Sequence, residues 1–500
     1  MHNVEAQEAS ISEVSPRDDG TAHVSVTEDY VSEGSEQTGF LKQIWQGLTT
    51  PMPDDVSQKE LSDQVVAIAW PAMLESFLLH LASMVNTMMV GGLGTWAIAS
   101  IGYCTQPRFL ILAVFQAFNT GSTALIARAK GGKDYASADK IMHQSVALSL
   151  LVSILFAAVG YFFAEPMVVF MGAETPETIL GATQYMQILM LTFPANALSL
   201  AVTAVLRGIG KTRISMIYNV SANVVNLLIG FLFIEGKFGL PSLGILGAAW
   251  GMGLGQVAAM IIALVTIMRG ADILQLRVRS LFTIDAKILM GVAKIGAPAM
   301  MEQLFMRTGQ IMFTKVVASL GTDAFATHQI ANNILSMTMM NGQSFGVAAT
   351  SLLGQSMGRK RPDIGKAFVQ VCRRYAMIIS LAMGGGMFFF GEQLMAMYTD
   401  QTDVIVAGAM VLKIVALIQP LQSSQQTLAG ALRGAGDTKA VALCTFLGIV
   451  LLRPIVSYSL LHFFDAGLLG VWLALVLDQS VRSCYTMWRF SSDKWKAIKV

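Results

Sequence analysis

Charge is scarce in this sequence. Asp, Glu, Lys and Arg make up 13 % of its 500 residues, where a soluble chain carries roughly 25 %. A string of soluble domains is therefore excluded. Cysteine is scarcer still: Cys104, Cys372, Cys444 and Cys484 stand far apart, with neither a CxxC pair nor ligand spacing. They read as small apolar residues, and no metal site is expected. Proline, at 13 residues, is too rare for a collagenous chain. No HExxH, GxSxG or paired Cys/His cluster occurs, so an enzyme is not expected. Gly210-Lys211-Thr212 imitates the end of a phosphate loop, but Val205 stands where the earlier glycine belongs. Neither a nucleotide nor a nucleic acid is an expected partner. The N-terminus lacks a basic stretch followed by an apolar one, so no secretory signal peptide is expected.

What is present is apolar. Hydrophobic residues make up 54 % of the chain, with 45 glycines and 31 methionines, and the mean hydropathy is +0.57. The charges that do occur are unevenly placed. Residues 1–60 hold 12 of the 32 acids and three bases, Arg17, Lys42 and Lys59. The rest is therefore a basic body behind an acidic tail. Residues 1–38 read as disordered. Phe40-Leu41-Lys42-Gln43-Ile44-Trp45 reads either as a short amphipathic piece at a membrane surface or as more of the same tail.

From residue 62 the chain runs in long apolar segments. A membrane helix needs about 20 apolar residues, and these stretches are too continuous for the alternating strands of a barrel. Twelve spans are expected near 62–90, 96–127, 138–162, 178–206, 212–234, 244–268, 286–319, 323–357, 365–391, 402–432, 438–463 and 467–489. The loops after the even-numbered spans carry 17 bases, from Arg128 to Lys439, and those after the odd-numbered spans carry one, Lys237. Basic loops stay in the cytoplasm, so both termini are expected there, and a prokaryotic inner (plasma) membrane is the expected location.

An internal repeat organises these spans. Residues 71–131 align without a gap with residues 298–358 at an offset of 227, with 16 of 61 positions identical. Pro71-Ala72-Met73-Leu74-Glu75 matches Pro298-Ala299-Met300-Met301-Glu302, and Leu206-Arg207-Gly208-Ile209-Gly210 matches Leu432-Arg433-Gly434-Ala435-Gly436 at an offset of 226. Each half thus holds six spans. An even number keeps both copies in the same orientation, related by an axis along the membrane normal. The expected fold is an all-α integral membrane protein of twelve transmembrane helices in two pseudo-twofold-related six-helix lobes. Its parts are a disordered acidic tail (1–60), an N-lobe of spans 1–6 (61–268), a cytoplasmic linker (269–284), a C-lobe of spans 7–12 (285–490) and a cytoplasmic C-terminal tail (491–500). Two lobes with a cleft between them suit alternating access, and a monomer is expected.

The Pro-x-x-x-Glu of span 1, the run Val85-Asn86-Thr87-Met88-Met89-Val90-Gly91-Gly92-Leu93-Gly94 and the two Leu-Arg-Gly-x-Gly-x-Thr motifs resemble multidrug and toxic compound extrusion (MATE) transporters. The resemblance covers residues 62–497 and includes the ending Arg489-Phe490-Ser491-Ser492-Asp493-Lys494-Trp495-Lys496. It implies an efflux antiporter that exports amphiphilic, often cationic, small molecules in exchange for protons or sodium ions. No cofactor is expected beyond that coupling cation. Two other readings stand beside it, a lipid-linked precursor flippase of related architecture and a transporter-like scaffold or receptor.

Three acids lie plainly inside spans: Glu75, Glu302 and Asp478. A charge at mid-bilayer costs about 2.5–3.5 kcal/mol on insertion scales. An acid escapes that cost by taking a proton, binding a cation or pairing with arginine, so Glu75 and Glu302 read as coupling groups or as Arg-paired struts. Asp478 reads as a structural or relay ion pair with Arg482, four residues on, or with Arg453. Many prokaryotic members of the resembled family carry an aspartate where this chain has Asn86, and another where it has Gly230, four residues after Asn226. An N-lobe proton switch on those positions is therefore in doubt. Asn219, Asn223 and Asn226 form a polar stripe on span 5, read as cavity lining. In the C-lobe, Gln303, Arg307, Asn332, Gln422 and Gln425 are candidates for ion or substrate contact, and amide oxygens there suit sodium as well as a proton relay. Arg307 disfavours a cation nearby unless Glu302 neutralises it, which keeps anionic and zwitterionic substrates open.

Overall fold

The computed structural model describes residues 56–498 except 235, 237, 238, 240, 278, 279, 281–284 and 465. The acidic tail and its amphipathic piece lie outside the described residues. Among those described, the chain is helical, with no strand and one isolated bridge between Ala271 and Leu274.

The twelve spans fall where the apolar runs place them. Spans 1 to 3 are Gln58–Gly91, Thr95–Gly131 and Tyr135–Phe162. Spans 5 and 6 are Thr212–Ile234 and Ile245–Arg269, and spans 7 to 9 are Ala286–Ala318, Thr322–Gly358 and Pro362–Phe389. Spans 10 and 12 are Thr402–Gly434 and Gly467–Ser491. Side-chain caps fix several starts: Ser57 accepts from the Lys59 amide, Asp134 from Ser137 and Asp285 from Lys287. The turns into spans 2 and 8 pass through Gly94 (φ 108°) and Gly321 (φ 102°), conformations that disfavour a side chain at the same position in both copies of the repeat.

Two spans are not single α-helices. Span 4 is Pro176–Leu191 followed by Phe193–Gly208, bent by 49° at Thr192. Pro194 opens the second piece and has no amide to continue the ladder. Span 11 is Thr438–Thr445, a π-helical stretch Phe446–Leu452 and Arg453–Phe464. It widens just before Pro454, where a donor is again missing. Two short helices unseen in the sequence, Ala164–Phe170 and Gly391–Ala396, follow spans 3 and 9 and start 227 positions apart. By length and hydropathy alone seven helices pass as membrane spans, or eight with span 4 counted whole. The remaining spans, 7, 8, 9 and 12, each carry charged or amide residues, among them Glu302, Asn332, Arg373 and Asp478.

The lobes exchange their first spans at the basic-loop end. Leu61, Val65, Ile68 and Ala69 of span 1 sit in a core built from spans 8, 9, 10 and 12. In the other half, Gly296 and Val292 of span 7 press against Ala117 and Gly121 of span 2. Ser351 and Gln355 of span 8 both donate to the Gly208 carbonyl, at 3.2 Å each.

Both connecting segments are built in. The linker donates its Gln275 and Arg277 amides to Asp139 and His143 of span 3. In the C-terminal segment Trp495 is fully buried and stacks on Phe490, and Asp493 pairs with Lys366 at 2.6 Å.

Candidate functional site

The repeated glutamates and the repeated motif arginines find each other. In the N-lobe, Arg207 Nη2 donates to Glu75 Oε1 at 2.9 Å, and Asn219 Nδ2 donates to the same oxygen at 2.8 Å. In the C-lobe, Arg433 Nε donates to Glu302 Oε2 at 3.2 Å and Arg433 Nη2 to Glu302 Oε1. Both glutamates are buried, while the arginines lean towards the surface. A planar guanidinium can grip both carboxylate oxygens, and only the C-lobe pair does so. In the N-lobe, Glu75 Oε2 and Arg207 Nε are both buried without a partner. Sequence reading placed these arginines in loops. The signal that could have joined them was the repeat: glutamates 227 apart and arginines 226 apart must occupy matching places.

Asp478 is fully buried and carries two arginines. Arg453 Nη2 donates to its Oδ2 at 2.6 Å and Arg482 Nε to its Oδ1 at 2.9 Å. Gly448, in the π-helical stretch, closes over this carboxylate: a Cβ there would collide with Asp478 Oδ1 and Arg482. The two partners weighed from sequence are thus both present at once.

The amide candidates divide into three groups. Asn86 and Asn226 converge near Gly230: a Cβ on Gly230 would lie 3.7 Å from Asn86 Oδ1, and Asn226 is one turn earlier on the same span. Both amide oxygens are buried without a donor. Asn223 spends its amide locally, donating to the Asn219 carbonyl at 2.7 Å. Gln422 and Gln425 are buried on span 10, Gln422 Oε1 again without a donor. Gln303 is half-buried and Asn332 exposed.

Exposed amides mark the inner wall. Gln116 and Gln343 occupy equivalent positions midway along spans 2 and 8 and are both exposed, as are Gln310, Asn332 and Asn333. An amide facing hydrocarbon has no partner for its donors, so these positions line a wet cleft. Farther from the basic-loop end than Gln116, the lobes meet through Arg307, whose guanidinium lies 4.2 Å from the Phe109 ring centroid and whose Nη1 donates to Gln310 Oε1 at 3.2 Å. Arg307 therefore reaches span 2 of the other lobe and leaves Glu302 to Arg433. Nearer the start of span 2, Gly102 is exposed and a Cβ there would touch nothing.

Glycine-mediated close contacts join the lobes at the basic-loop end. Known proteins share this fold. The family model MatE matches residues 71–232 and 298–459, one copy in each lobe. The chain is 28 % identical over 443 residues to a probable multidrug resistance protein NorM of Thermotoga maritima, covering 87 % of this chain and 94 % of that one. It superposes on a crystal structure of MATE in the straight conformation with a TM-score of 0.80 at 21 % identity, covering 86 % of this chain and 96 % of the other. A MOP superfamily transporter from Pyrococcus furiosus, whose binding pocket is described as having reverse polarity, superposes with a TM-score of 0.81 at 21 % identity. That match covers 87 % of this chain and 96 % of the other.

Proposed function

Because the chain belongs to the MatE family, we propose that this multi-pass membrane protein is an efflux antiporter. It exports amphiphilic small molecules from the cytoplasm in exchange for inflowing protons or sodium ions, by alternating access of its two lobes. The observation that carries the reading is the contrast along spans 2 and 8. Glycine-close packing holds their basic ends together, while matched glutamines stand exposed midway along them. Basic loops are retained in the cytoplasm, so the closed end faces inward and the cleft faces outward.

Coupling belongs to the N-lobe on this reading. Glu302 has both oxygens engaged by Arg433, whereas Glu75 has one oxygen holding two donors and the other holding none. A proton on Glu75 Oε2 fills a vacant place and loosens Arg207, which frees the link between spans 1, 4 and 5. The donorless oxygens of Asn86 and Asn226 supply a neutral alternative that suits sodium. Moving one positive charge inward supplies about 2.3 kcal/mol per 100 mV.

The test is transport by purified protein in proteoliposomes, with proton and sodium gradients imposed separately. Glu75→Gln is expected to abolish gradient-driven exchange and to leave expression and melting temperature close to wild type. Unaltered exchange by Glu75→Gln would remove Glu75 as the coupling group. Substrate movement that ignores both gradients would remove antiport and favour the flippase reading.

A further inference from the structure

The membrane interior of this protein is electropositive. Three carboxylates among the described residues stand more than two helical turns from a helix end: Glu75, Glu302 and Asp478. Each is taken by arginine, and Asp478 by two. Four further guanidiniums as far from a helix end have no carboxylate partner among the described residues: Arg108, Arg307, Arg374 and Arg373, the last donating to Ser424 Oγ. Arg108 donates to a thioether, Met252 Sδ, at 2.9 Å, and Arg307 donates to an amide while stacking on Phe109. Arg108 turns into the N-lobe, whereas Arg307 lies against Phe109 at the seam between the lobes.

Arginine in such a place is costly unless something compensates it. A thioether is a weak acceptor and an amide a neutral one, so neither cancels the charge. Arg307 also keeps its Nε and Nη2 free of described hydrogen bonds, and neither atom is sealed from the surface. The guanidinium carbon lies over the Phe109 ring, and a guanidinium with two free nitrogens receives a carboxylate, sulfonate or phosphate in two parallel hydrogen bonds. A cationic drug at the same place meets like charge, and the three carboxylates deep within the spans are already held by arginine.

We propose that the cargo of this transporter is an organic anion, an aromatic amphiphile whose acidic group is held by the free nitrogens of Arg307. Its ring lies along Phe109. The assignment rests on the efflux reading above, and it names a substrate class opposite in charge to the cationic compounds that the family resemblance suggests.

The experiment uses the full chain in proteoliposomes, with carboxyfluorescein as the anionic probe and ethidium as the cationic one. Binding of each probe to protein in detergent is read in parallel by fluorescence anisotropy. Carboxyfluorescein is expected to bind and to be transported. Arg307→Gln is expected to weaken its binding about tenfold or more, as loss of a charge-assisted pair does, and Arg307→Lys to restore part of it. Transport of ethidium but not carboxyfluorescein overturns the anion assignment and leaves the efflux reading standing. Arg307-dependent binding of carboxyfluorescein without transport under any gradient supports the anion site and overturns the efflux reading. Binding unchanged by Arg307→Gln, or absent in the wild type, overturns the anion site.

Discussion

Ala127 and Gly354 occupy the same position in the two halves of the repeat, and they touch. A Cβ built on Gly354 would stand 2.8 Å from the Ala127 Cβ. Two equivalent residues can meet only on the axis that relates them, so the pseudo-twofold passes between spans 2 and 8 at this level. The contacts around it are paired accordingly. Gly131 presses on the Gln355 carbonyl, Gly358 presses on the Arg128 carbonyl, and Arg128 and Gln355 are themselves equivalent.

The first prediction follows from that packing. Gly358→Val places carbon where the Arg128 carbonyl lies, and backbone cannot step aside as a flexible side chain can. Overpacking of this kind costs about 1–3 kcal/mol, so the variant is expected to melt earlier in detergent and to loosen the closed end. A cysteine pair across spans 2 and 8 should then cross-link more slowly. Gly386→Ala on span 9 is the matched control, since a Cβ there meets nothing. It is expected to be neutral or to stabilise by about 0.5–1 kcal/mol. Equal melting of the two variants would contradict the contact.

The glutamate–arginine pairs predict non-additive mutants. Arg433→Gln leaves Glu302 buried with no counter-charge, and removal of one partner from a buried pair costs about 3–5 kcal/mol. The lower end is expected here, because the Arg433 side chain is 28 % exposed. Removing the glutamate as well takes away the stranded charge. The double variant Glu302→Gln with Arg433→Gln is therefore expected to be more stable than Arg433→Gln alone, as read by thermal unfolding. The same cycle at Glu75 and Arg207 is expected to give a smaller coupling, because a single oxygen carries that contact. Additive losses in both lobes would mean that neither pair stabilises the fold.

Much of the architecture was legible because period, loop charge and repeat all agree. Apolar runs placed each span within a few residues, and the offset of 227 carried over even to backbone conformation at Gly94 and Gly321. The site was less legible. Hydropathy assigns Arg207 and Arg433 to loops because they stand at helix ends, and only the three-dimensional return of those ends onto spans 1 and 7 brings them to Glu75 and Glu302. The pairing of Arg307 with Phe109 crosses between lobes, where neither periodicity nor repeat gives a register. The break in span 4 had a visible cause in Pro194, but hydropathy alone reads straight through it.

Asp478 carries the sharpest stability prediction. Its carboxylate is the one acid against the two buried guanidiniums of Arg453 and Arg482. Asp478→Asn keeps the size of the side chain and removes the charge, leaving both arginines in the C-lobe core without compensation. A loss of about 3–5 kcal/mol or failure to fold is expected. Replacing Asp478, Arg453 and Arg482 together by Leu, Met and Met removes every stranded charge and is expected to recover most of that loss, as size-matched apolar replacements of buried ion clusters do. A triple variant as unstable as Asp478→Asn would show that shape, not charge, matters here.

The linker offers a pH test outside the membrane. Lys130 Nζ donates to Asp272 Oδ2 at 2.8 Å and to the Ile209 carbonyl at 2.7 Å, tying the linker and the span 4–5 turn to the end of span 2. The hydrogen bond from Lys130, aided by its charge and that of Lys211, holds the Asp272 carboxyl below its ordinary value of 3.8. A group whose folded-state pKa is depressed gives stability that is complete above the unfolded pKa and is lost as pH falls through the folded one. With the two side chains 22 % and 32 % exposed, solvent screens the pair, and its worth is about 1 kcal/mol or less. Asp272→Asn is therefore expected to melt slightly below wild type at pH 7. The gap should stay constant down to about pH 4, the region where free carboxyls begin to protonate, and close below it. A gap that persists unchanged at pH 3, or one absent at pH 7, would show that the Lys130–Asp272 contact does not hold the linker in place.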